Sequence, residues 1–247
     1  MFRTIGLILP VVFICLIHVE SFSQIQKEKY PEQSEVKNAV SLYYRSLGEQ
    51  SGIYNGPAYI GYPYPLSNGH PFFQSPDLSK GTILYEGMLY QDVPFRFDLV
   101  KGQVVVQYID GFSSISLHNE RIDHFSLFDH EFIKITKDTS NSSGMPSGFY
   151  DRVYREKIEV LVRRYKGTLE DVSSEGIYTK ILKQKNDIYL KKDGKYFSVA
   201  SSGSVLKVLG NKQKEILSHL KKNKIKFKKD PEKAIVIMVM YYDQSSN

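Results

Sequence analysis

Apolar and polar residues alternate along much of the chain from residue 82 onward. In the segment "VPFRFDLV", four apolar residues fall on one side of an extended chain: Val93, Phe95, Phe97 and Leu99. Side chains of a β-strand point alternately to opposite faces, so this period of two predicts a half-buried strand. Proline cannot donate a hydrogen bond to a sheet, and Pro94 therefore indicates an edge strand or the start of a strand.

Short turn signals separate this segment from its neighbours. Each consists of a polar residue followed by glycine: Glu86-Gly87, Lys101-Gly102, Asp110-Gly111 and Asp193-Gly194. Strands joined by such short turns run antiparallel, as successive hairpins. The other segments with strand patterning are "QVVVQYI", "SISL", "IDHFSLFDH", "FIKIT", "KIEVLVRRY", "IYTKILK" and "DIYLKKDGKYFSV". Together they predict an antiparallel, meander-rich β-sheet that is curved or sandwich-like.

Helical patterns occur near both ends of the chain. Ser34 is placed to cap a short N-terminal helix, and Asn211 is placed to cap the segment "KQKEILSHLKK". Asp230-Pro231-Glu232 combines a capping residue, a proline in the first turn and an acid, which predicts a second C-terminal helix. The apolar run over residues 234–242 leaves no polar face. This run is expected to be buried as a helix, with a buried strand as the alternative because of its β-branched residues.

The fold class predicted from these patterns is α+β. An antiparallel sheet is joined by a short N-terminal helix and two C-terminal helices, and residues 201–247 form a helical closing segment. No long linker divides the chain after the first residues, so residues 24–247 are predicted to form a single β-rich domain.

The first residues have the composition of a secretory signal peptide. Arg3 precedes an apolar run over residues 5–17, and Ser21-Phe22-Ser23 fits the small-x-small pattern of a signal-peptidase site. The run is shorter than the roughly 20 apolar residues that a membrane-spanning helix needs. We expect cleavage after Ser23, so that the exported chain spans no membrane.

Cys15 is the single cysteine of the sequence and lies within this predicted signal. Lipidation of Cys15 is rejected because Phe13 and Ile14 stand before it, where a lipidated cysteine needs small residues. Cleavage would leave the chain without thiol or disulfide chemistry. Its length is sufficient to bury a core without disulfide bonds.

Positive charge is concentrated toward the C-terminus. Residues 24–179 carry 16 Lys/Arg against 20 Asp/Glu, a net charge of −4, whereas residues 180–233 carry 16 against 5, a net charge of +11. On an exported protein, a basic half indicates an acidic envelope component as partner: a protein, a polysaccharide or an anionic lipid. Export takes the chain away from nucleic acid. A lysine-rich surface that only keeps the protein soluble is the favoured alternative.

Two segments supply candidate partner-binding residues. The aromatic segment "GYPYPLSNGHPFF" contributes rings that can stack on sugars or contact a protein: Tyr62, Tyr64, Phe72 and Phe73. The run "KIKFKK" contributes four cations: Lys224, Lys226, Lys228 and Lys229. A structural role is the favoured interpretation of both segments. The rings would cover one end of the sheet, and Ile225 and Phe227 alternate with the lysines as in a solvated, extended connector.

Two other patterns resemble metal or catalytic sites. "DHFSLFDH" repeats Asp-His after six residues, but on a straight strand His124 and His130 would lie some 20 Å apart at roughly 3.3 Å per residue, too far to share a metal. Ser204 and Lys207 match the Ser-x-x-Lys pattern of serine acylases, but the partner motifs Ser-Asp-Asn and Lys-Thr-Gly do not follow. The sequence therefore predicts no catalytic residue, no metal site and no cofactor.

Several segments resemble a family of exported proteins common in Bacteroidota. They are "IYNGPAY", "GHPFF", "ILYEGMLYQDVPFRFDLV", "GFYDRVY" and "KKNKIKFKKD", in the same order and with similar spacing as in that family. The resemblance covers most of the chain after Ser23. It implies a Gram-negative envelope location, in the periplasm or associated with the outer membrane, and it supplies no activity and no catalytic residues.

The leading functional hypothesis is an exported, non-enzymatic cell-envelope protein that binds a partner or ligand. The alternative is a periplasmic hydrolase with an unrecognised carboxylate or serine site. A deep pocket with convergent acids, histidines or serines would favour the hydrolase, whereas a tyrosine-rimmed or lysine-lined surface would favour binding.

Overall fold

The structure is a computed structural model that describes residues 51–245, except 138–143, 173–175 and 177, together with scattered positions between 38 and 48. The described residues from 39 onward belong to one compact unit, Ala39–Asn247. The predicted signal peptide and its cleavage site lie outside the described residues. So does most of the predicted N-terminal helix, whose described residues are helical: Asn38, Ala39, Leu42, Tyr43, Ser46 and Leu47.

Eleven β-strands form one sheet in the described part of the chain. Their bounds are β1 Leu66–Ser67, β2 Ser79–Tyr85, β3 Met88–Asp98, β4 Gln103–Gln107, β5 Ser114–Ser116, β6 Ile122–Leu127, β7 His130–Ile135, β8 Gly148–Arg155, β9 Glu159–Val172, β10 Tyr178–Lys192 and β11 Lys195–Val199. The strand order is β1-β10-β9-β8-β7-β6-β2-β3-β4-β5, and β11 also pairs with β10. Two meanders, β2–β5 and β6–β11, are thus joined where β6 pairs with β2. The predicted antiparallel, β-rich sheet is confirmed, with β1 as a parallel exception on β10.

The sheet curls until strands far apart in this order meet. The backbone amide of Lys166 on β9 donates to the carbonyl of Leu99, just after β3, at 3.0 Å. Phenylalanine side chains fill the concave interior, and Phe125 and Phe132 stack at 4.8 Å. Phe95, Phe97 and Leu99 are buried in this first core, with Val93 packed against it. The face predicted from the period of two is therefore the core-facing side of β3.

β3 is an interior strand that begins at Met88, so both alternatives predicted from Pro94, an edge strand and a strand start, are wrong. β3 pairs with β2 from Met88 to Phe95 and with β4 only from Phe95 onward. Pro94 lies opposite Lys80 of β2, beyond the end of the β3–β4 ladder. The missing N–H of Pro94 is tolerated because no β4 carbonyl lies opposite it.

Tight two-residue turns form the hairpins at Glu86-Gly87 and Asp193-Gly194. The predicted turns at Lys101-Gly102 and Asp110-Gly111 also connect adjacent antiparallel strands, but in each of them only the glycine has a positive φ. Glu86 and Gly87 have φ values of 52° and 75°, and Asp193 and Gly194 have values of 50° and 73°. Two successive positive φ angles give the turn a twist that suits a hairpin.

A third turn of this kind, at Phe128 and Asp129, has no glycine and was not predicted. "DHFSLFDH" is therefore not one strand, because His124 lies on β6 and His130 on β7. The distance predicted from a straight strand does not apply to these two histidines.

Three helices follow the sheet, where two were predicted. They are α1 Ser202–Leu209, α2 Gln213–Lys222 and α3 Pro231–Ser245. α1 begins with a capping box. The Ser201 side chain accepts a hydrogen bond from the Ser204 amide, and the Ser204 hydroxyl accepts one from the Ser201 amide. Ser204 is thus a helix-capping residue, and Lys207 of the Ser-x-x-Lys match is exposed.

The starts of α2 and α3 test the two capping predictions. Asn211 does not cap α2, because Lys212 precedes the helix in a left-handed conformation and forms no side-chain cap. Asp230 does cap α3, with its Oδ1 accepting from the amide of Lys233 at 3.0 Å. The run over residues 234–242 is helical, so the strand alternative for it is wrong.

The three helices pack on β9, β10 and β11 and form a second core. Side chains from α1, α2 and α3 that are fully or nearly fully buried there include Val205, Leu209, Ile216, Ile235 and Met238. α3 keeps one exposed apolar residue, Met240, which is 38% exposed. Among the described residues, no helix has both the length and the apolar character needed to cross a membrane.

Gly81 on β2 is required by close approach. A Cβ at this position would lie 2.2 Å from the carbonyl oxygen of Ser126 on the neighbouring strand and 2.7 Å from the ring of Phe95. We expect Gly81→Ala to lower the free energy of unfolding by about 1–3 kcal/mol, because neither the backbone nor the buried ring can move away freely. Urea denaturation of purified variants measures this change.

Gly167→Ala on β9 is the matched control, since a Cβ there would have no neighbour within 4 Å. This second variant is expected to be neutral or more stable by about 0.5 kcal/mol, because alanine loses less conformational entropy on folding. Equal losses of stability in both variants would contradict the close approach at Gly81.

Candidate functional site

The connector between α2 and α3 surrounds a cavity of about 520 Å³, which we call the lysine cavity. Its lining residues are Asn223, Lys224, Ile225, Lys226, Lys229, Asp230 and Lys233. The structure thus brings together three of the four lysines selected from the sequence. Lys228 is exposed and does not belong to the lining. Lys233 also lines the cavity, although it lies outside the run "KIKFKK".

The α2 C-terminus shapes one side of the lysine cavity. The amide of Ile225 donates to the Leu220 carbonyl at 3.0 Å, and the amide of Lys224 donates to the Lys221 carbonyl at 3.0 Å. These two bonds form a Schellman motif, in which the residue after the helix cap adopts a left-handed conformation. Lys224 occupies that position with φ at 54°, where glycine is the favoured residue.

The connector is turned rather than extended, which corrects the predicted conformation. The amide of Lys229 donates to the Lys226 carbonyl at 3.0 Å and closes a turn. The predicted alternation of burial is nevertheless found. Ile225 and Phe227 are half-buried against the second core, and the four predicted lysines are exposed. Two apolar anchors therefore fix the backbone that carries the lysines.

Positive charge in the lysine cavity is not balanced by nearby carboxylates. Asp230 is the one acid in the lining, and its carboxylate caps α3. Within the part of the chain that the structure describes, none of the four lining lysines forms an ion pair. Four lysines and one carboxylate in a single lining leave a net positive charge, which attracts an anion.

Lys233 could have been found from the sequence. Lys233 lies four residues after Lys229, and Asp230-Pro231 predicts that a helix begins between these two lysines. A residue in the first turn of a helix lies beside the connector that leads into it.

A buried ion-pair network links the start of α3 to the sheet. Arg164 of β9 donates to both carboxylate oxygens of Glu232, at 3.0 and 2.7 Å, and its Nε donates to Asp151 of β8 at 2.6 Å. The side chains of Arg164 and Asp151 are only 8% and 1% exposed. Burial by itself would lower the pKa of Arg164, but the bonds and charges of Glu232 and Asp151 outweigh it and raise that pKa.

His130 extends this network toward the surface. Its Nδ1 lies 2.7 Å from Asp151 Oδ2, and its Nε2 lies 3.0 Å from the amide nitrogen of Gln74. Gln74 holds a left-handed backbone conformation, with φ at 53°. A carboxylate-oriented imidazole can serve as a general base. No hydroxyl group among the described residues hydrogen-bonds to His130, so the pair has no nucleophile in place.

Residues 57–67, which we call the aromatic strap, run between the β5 side and the β10 side of the curled sheet. The Pro57 carbonyl accepts from the amide of Ser116 on β5, and the Pro65 carbonyl accepts from the amide of Lys180 on β10. The strap therefore covers both of these strand edges with backbone hydrogen bonds. Unpaired edges of a sheet otherwise invite association with other chains.

Asp98 at the end of β3 holds the middle of the strap. Its buried carboxylate accepts hydrogen bonds from the hydroxyls of Tyr59 at 2.8 Å and Tyr62 at 2.7 Å, and from the amides of Val100 and Lys101. Burial, together with the Asp98 carboxylate, raises the pKa of Tyr62 well above its usual range. The Tyr62 hydroxyl is thus engaged within the fold.

The other aromatic candidates divide between the core and the surface. Phe72 and Phe73 are buried, at 7% and 4% exposure, and Phe73 packs edge-on against His130 at 5.0 Å. Tyr64 is half-exposed, with its ring 5.9 Å from that of Tyr62. The ammonium group of Lys180 lies 4.3 Å from the centre of the Tyr64 ring. None of the four aromatic candidates lines the lysine cavity.

Comparison with known protein families, with characterised proteins and with solved structures finds no match for this chain. In the residues that the structure describes, no three His, Cys, Asp or Glu side chains converge as a metal site would require. The lysine cavity is the candidate functional site because its lining of four lysines and one aspartate is suited to binding an anion.

We expect Lys224 to make the protein less stable than glycine would at the same position. Lys224→Gly should raise the free energy of unfolding by about 0.5–1 kcal/mol, because glycine adopts a positive φ without the steric cost that a Cβ brings. Lys226→Gly serves as the control, since no positive φ occurs there, and it should leave the protein equally or less stable. Thermal and urea denaturation measure both. A loss of stability in Lys224→Gly would contradict the strained conformation.

Arg164 is expected to be essential to the stability of the fold. Arg164→Met should lower the free energy of unfolding by about 3–5 kcal/mol, because it leaves the buried carboxylate of Asp151 without its cationic partner. Arg121→Met removes an exposed pair with Glu86, whose side chains are 41% and 37% exposed, and should cost less than about 1 kcal/mol. Denaturant unfolding that gives similar losses for both variants would contradict this ranking.

Proposed function

We propose that this protein is an exported, non-enzymatic binding protein of the cell envelope, and that it holds an acidic envelope component in the lysine cavity. One observation carries the proposal. Four lysines converge on a single concave site, and the one carboxylate in the lining is already used as a helix cap. Lysine is a common ligand of phosphate, which it binds as a compact point charge.

The backbone around the lysine cavity favours binding over simple solubility. A Schellman motif, a closed turn and a capped helix start hold the backbone of Lys224, Lys226, Lys229 and Lys233 in defined positions. Binding an anion therefore requires ordering of the side chains but not of the chain itself, which reduces the entropic cost of association.

The envelope location is supported by the sequence. The charged start, the apolar run and the small residues before residue 24 are typical of a secretory signal. The resemblance to exported proteins of Bacteroidota agrees with this. We place the protein in the periplasm or at the outer membrane, after cleavage following Ser23.

A hydrolase remains the second candidate function, on the strength of His130 and Asp151. The aspartate orients the imidazole as in known acid–base pairs, and the ring is 28% exposed. Both ring nitrogens are nevertheless occupied, one by Asp151 and the other by the amide of Gln74. Binding through the lysine cavity is better supported, because that site needs no rearrangement to act.

Reversal of the cavity charge tests the proposed function. The variant with Lys224, Lys226, Lys229 and Lys233 changed to Glu should lose an envelope partner that the parent retains in pull-downs from native envelope extract. Each lysine near an anionic surface contributes about 1 kcal/mol, so four together account for up to about a 1,000-fold loss of affinity. Retention by the parent should also weaken between low and physiological salt.

A matched control separates the site from overall charge. Lys183, Lys185, Lys195 and Lys207 are exposed and lie outside the lysine cavity. Changing these four to Glu produces the same net charge, and this variant should keep the partner. Retention by the cavity variant, or equal loss in both variants, would show that the cavity does not bind it. Circular dichroism confirms that each variant is folded.

A further inference from the structure

A second, more apolar groove of about 260 Å³ adjoins the lysine cavity. It is lined by His219, Asn223, Ile225, Ile237, Met240, Tyr241 and Gln244. Two of these residues, Asn223 and Ile225, also line the lysine cavity. The cationic site and the apolar groove are therefore neighbours that share one wall.

α3 provides most of the apolar surface of the groove. Ile237, Met240 and Tyr241 are three and four residues apart, so they fall on one face of the helix. Met240 is 38% exposed, and the ring of His219 on α2 lies 4.4 Å from that of Tyr241. This face combines accessible apolar side chains with a supporting wall from the neighbouring helix.

We propose that the acidic ligand of the lysine cavity is an amphiphile, with a phosphate or carboxylate head and an acyl chain. The head lies among Lys224, Lys226, Lys229 and Lys233, and the chain lies in the groove against Ile237 and Met240. This inference rests on the proposed function, because it assigns the chemical class of the ligand that the same lysines hold.

The combination of charge and shape favours this ligand over a simple polyanion. A polysaccharide or an acidic protein surface would satisfy the lysines but would leave the adjoining apolar groove in water. An amphiphile satisfies both sites at once with one head and one chain. The lysine cavity alone falls within the range of about 300–1,000 Å³ that is usual for small-molecule sites, and the groove extends it by one apolar arm.

The dependence of affinity on chain length follows from this geometry. Each methylene group that enters an apolar site adds a nearly constant increment of about 0.8 kcal/mol, so two further methylenes should strengthen binding by up to about 15-fold. The increase should end once the chain fills the groove. An anion held by the lysines alone would show no such dependence.

Calorimetric titration of the full-length protein with butyl, hexyl and octyl phosphate tests the inference. All three probes carry the same head, so differences in affinity report on the chain. We expect octyl phosphate to bind most tightly and butyl phosphate least tightly. Octyl glucoside, which has the same chain and no charge, should bind far more weakly. Every variant carries the same N-terminal apolar run, so any contribution from that run cancels between variants.

Substitutions in the groove locate the effect. Met240→Gln and Ile237→Gln should abolish the gain from butyl to octyl phosphate while leaving butyl phosphate binding unchanged. Leu217→Gln is the matched control, because Leu217 is 45% exposed on α2 but does not line the groove. This control should keep the full gain. A chain-length gain that survives both groove substitutions would overturn the inference.

The remaining outcomes distinguish failure of the inference from failure of the proposed function. Equal affinity for the three alkyl phosphates, lost when the four cavity lysines are changed to Glu, would overturn the amphiphile and keep the anion site. Equal binding by that charge-reversed variant and the parent would overturn both. Concentration-dependent dimerisation that Met240→Gln abolishes, and that octyl phosphate does not reverse, would assign the groove to a second copy of the chain and overturn the inference.

Discussion

The bidentate contact between Arg164 and Glu232 joins the sheet to the helices, and the position of the candidate site depends on it. Arg164 belongs to β9 and is held from behind by Asp151 of β8, whereas Glu232 lies in the first turn of α3. Charges buried in a protein interior are expensive unless each has a partner with good geometry. Because Glu232 is adjacent in sequence to Lys233, the contact that anchors α3 also fixes one wall of the lysine cavity.

The aromatic strap and the lysine connector both look like surface segments in the sequence, but their polar groups have different roles in the structure. In the strap, Tyr62 is bound to the buried carboxylate of Asp98, so its polar group serves the closure of the curled sheet. In the connector, Ile225 and Phe227 are the anchors, and the lysines that alternate with them are exposed at the surface. Burial of the polar atom, rather than residue type, separates a structural group from one available to a ligand.

Sequence patterns predicted features with a strong local signal and missed those whose local signal is weak or whose residues are distant. The period of two identified the core face of β3, and Asp230-Pro231 located the start of α3, because both signals lie within a few residues. The turn at Phe128-Asp129 lacked the usual glycine. The pairing of Arg164 with Glu232 joins residues 68 positions apart, for which no local pattern exists. Three of the four site lysines were predicted, but that they share one cavity with Lys233 follows only from the turn between the helices.

Lys224 connects the energetics of the fold with the proposed binding of an anion. Its left-handed conformation is unfavourable for a residue with a Cβ, and the Schellman motif that imposes it would accept glycine readily. Unfavourable backbone conformations are concentrated at functional sites, where the surrounding structure maintains them. Here Ile225, half-buried against the second core directly after Lys224, maintains the turn. The Schellman motif gains nothing from a lysine at this position. The ammonium group of Lys224, however, is one of the four cations in the lining of the lysine cavity. Its charge therefore gives a reason for lysine, rather than glycine, to occupy this strained position.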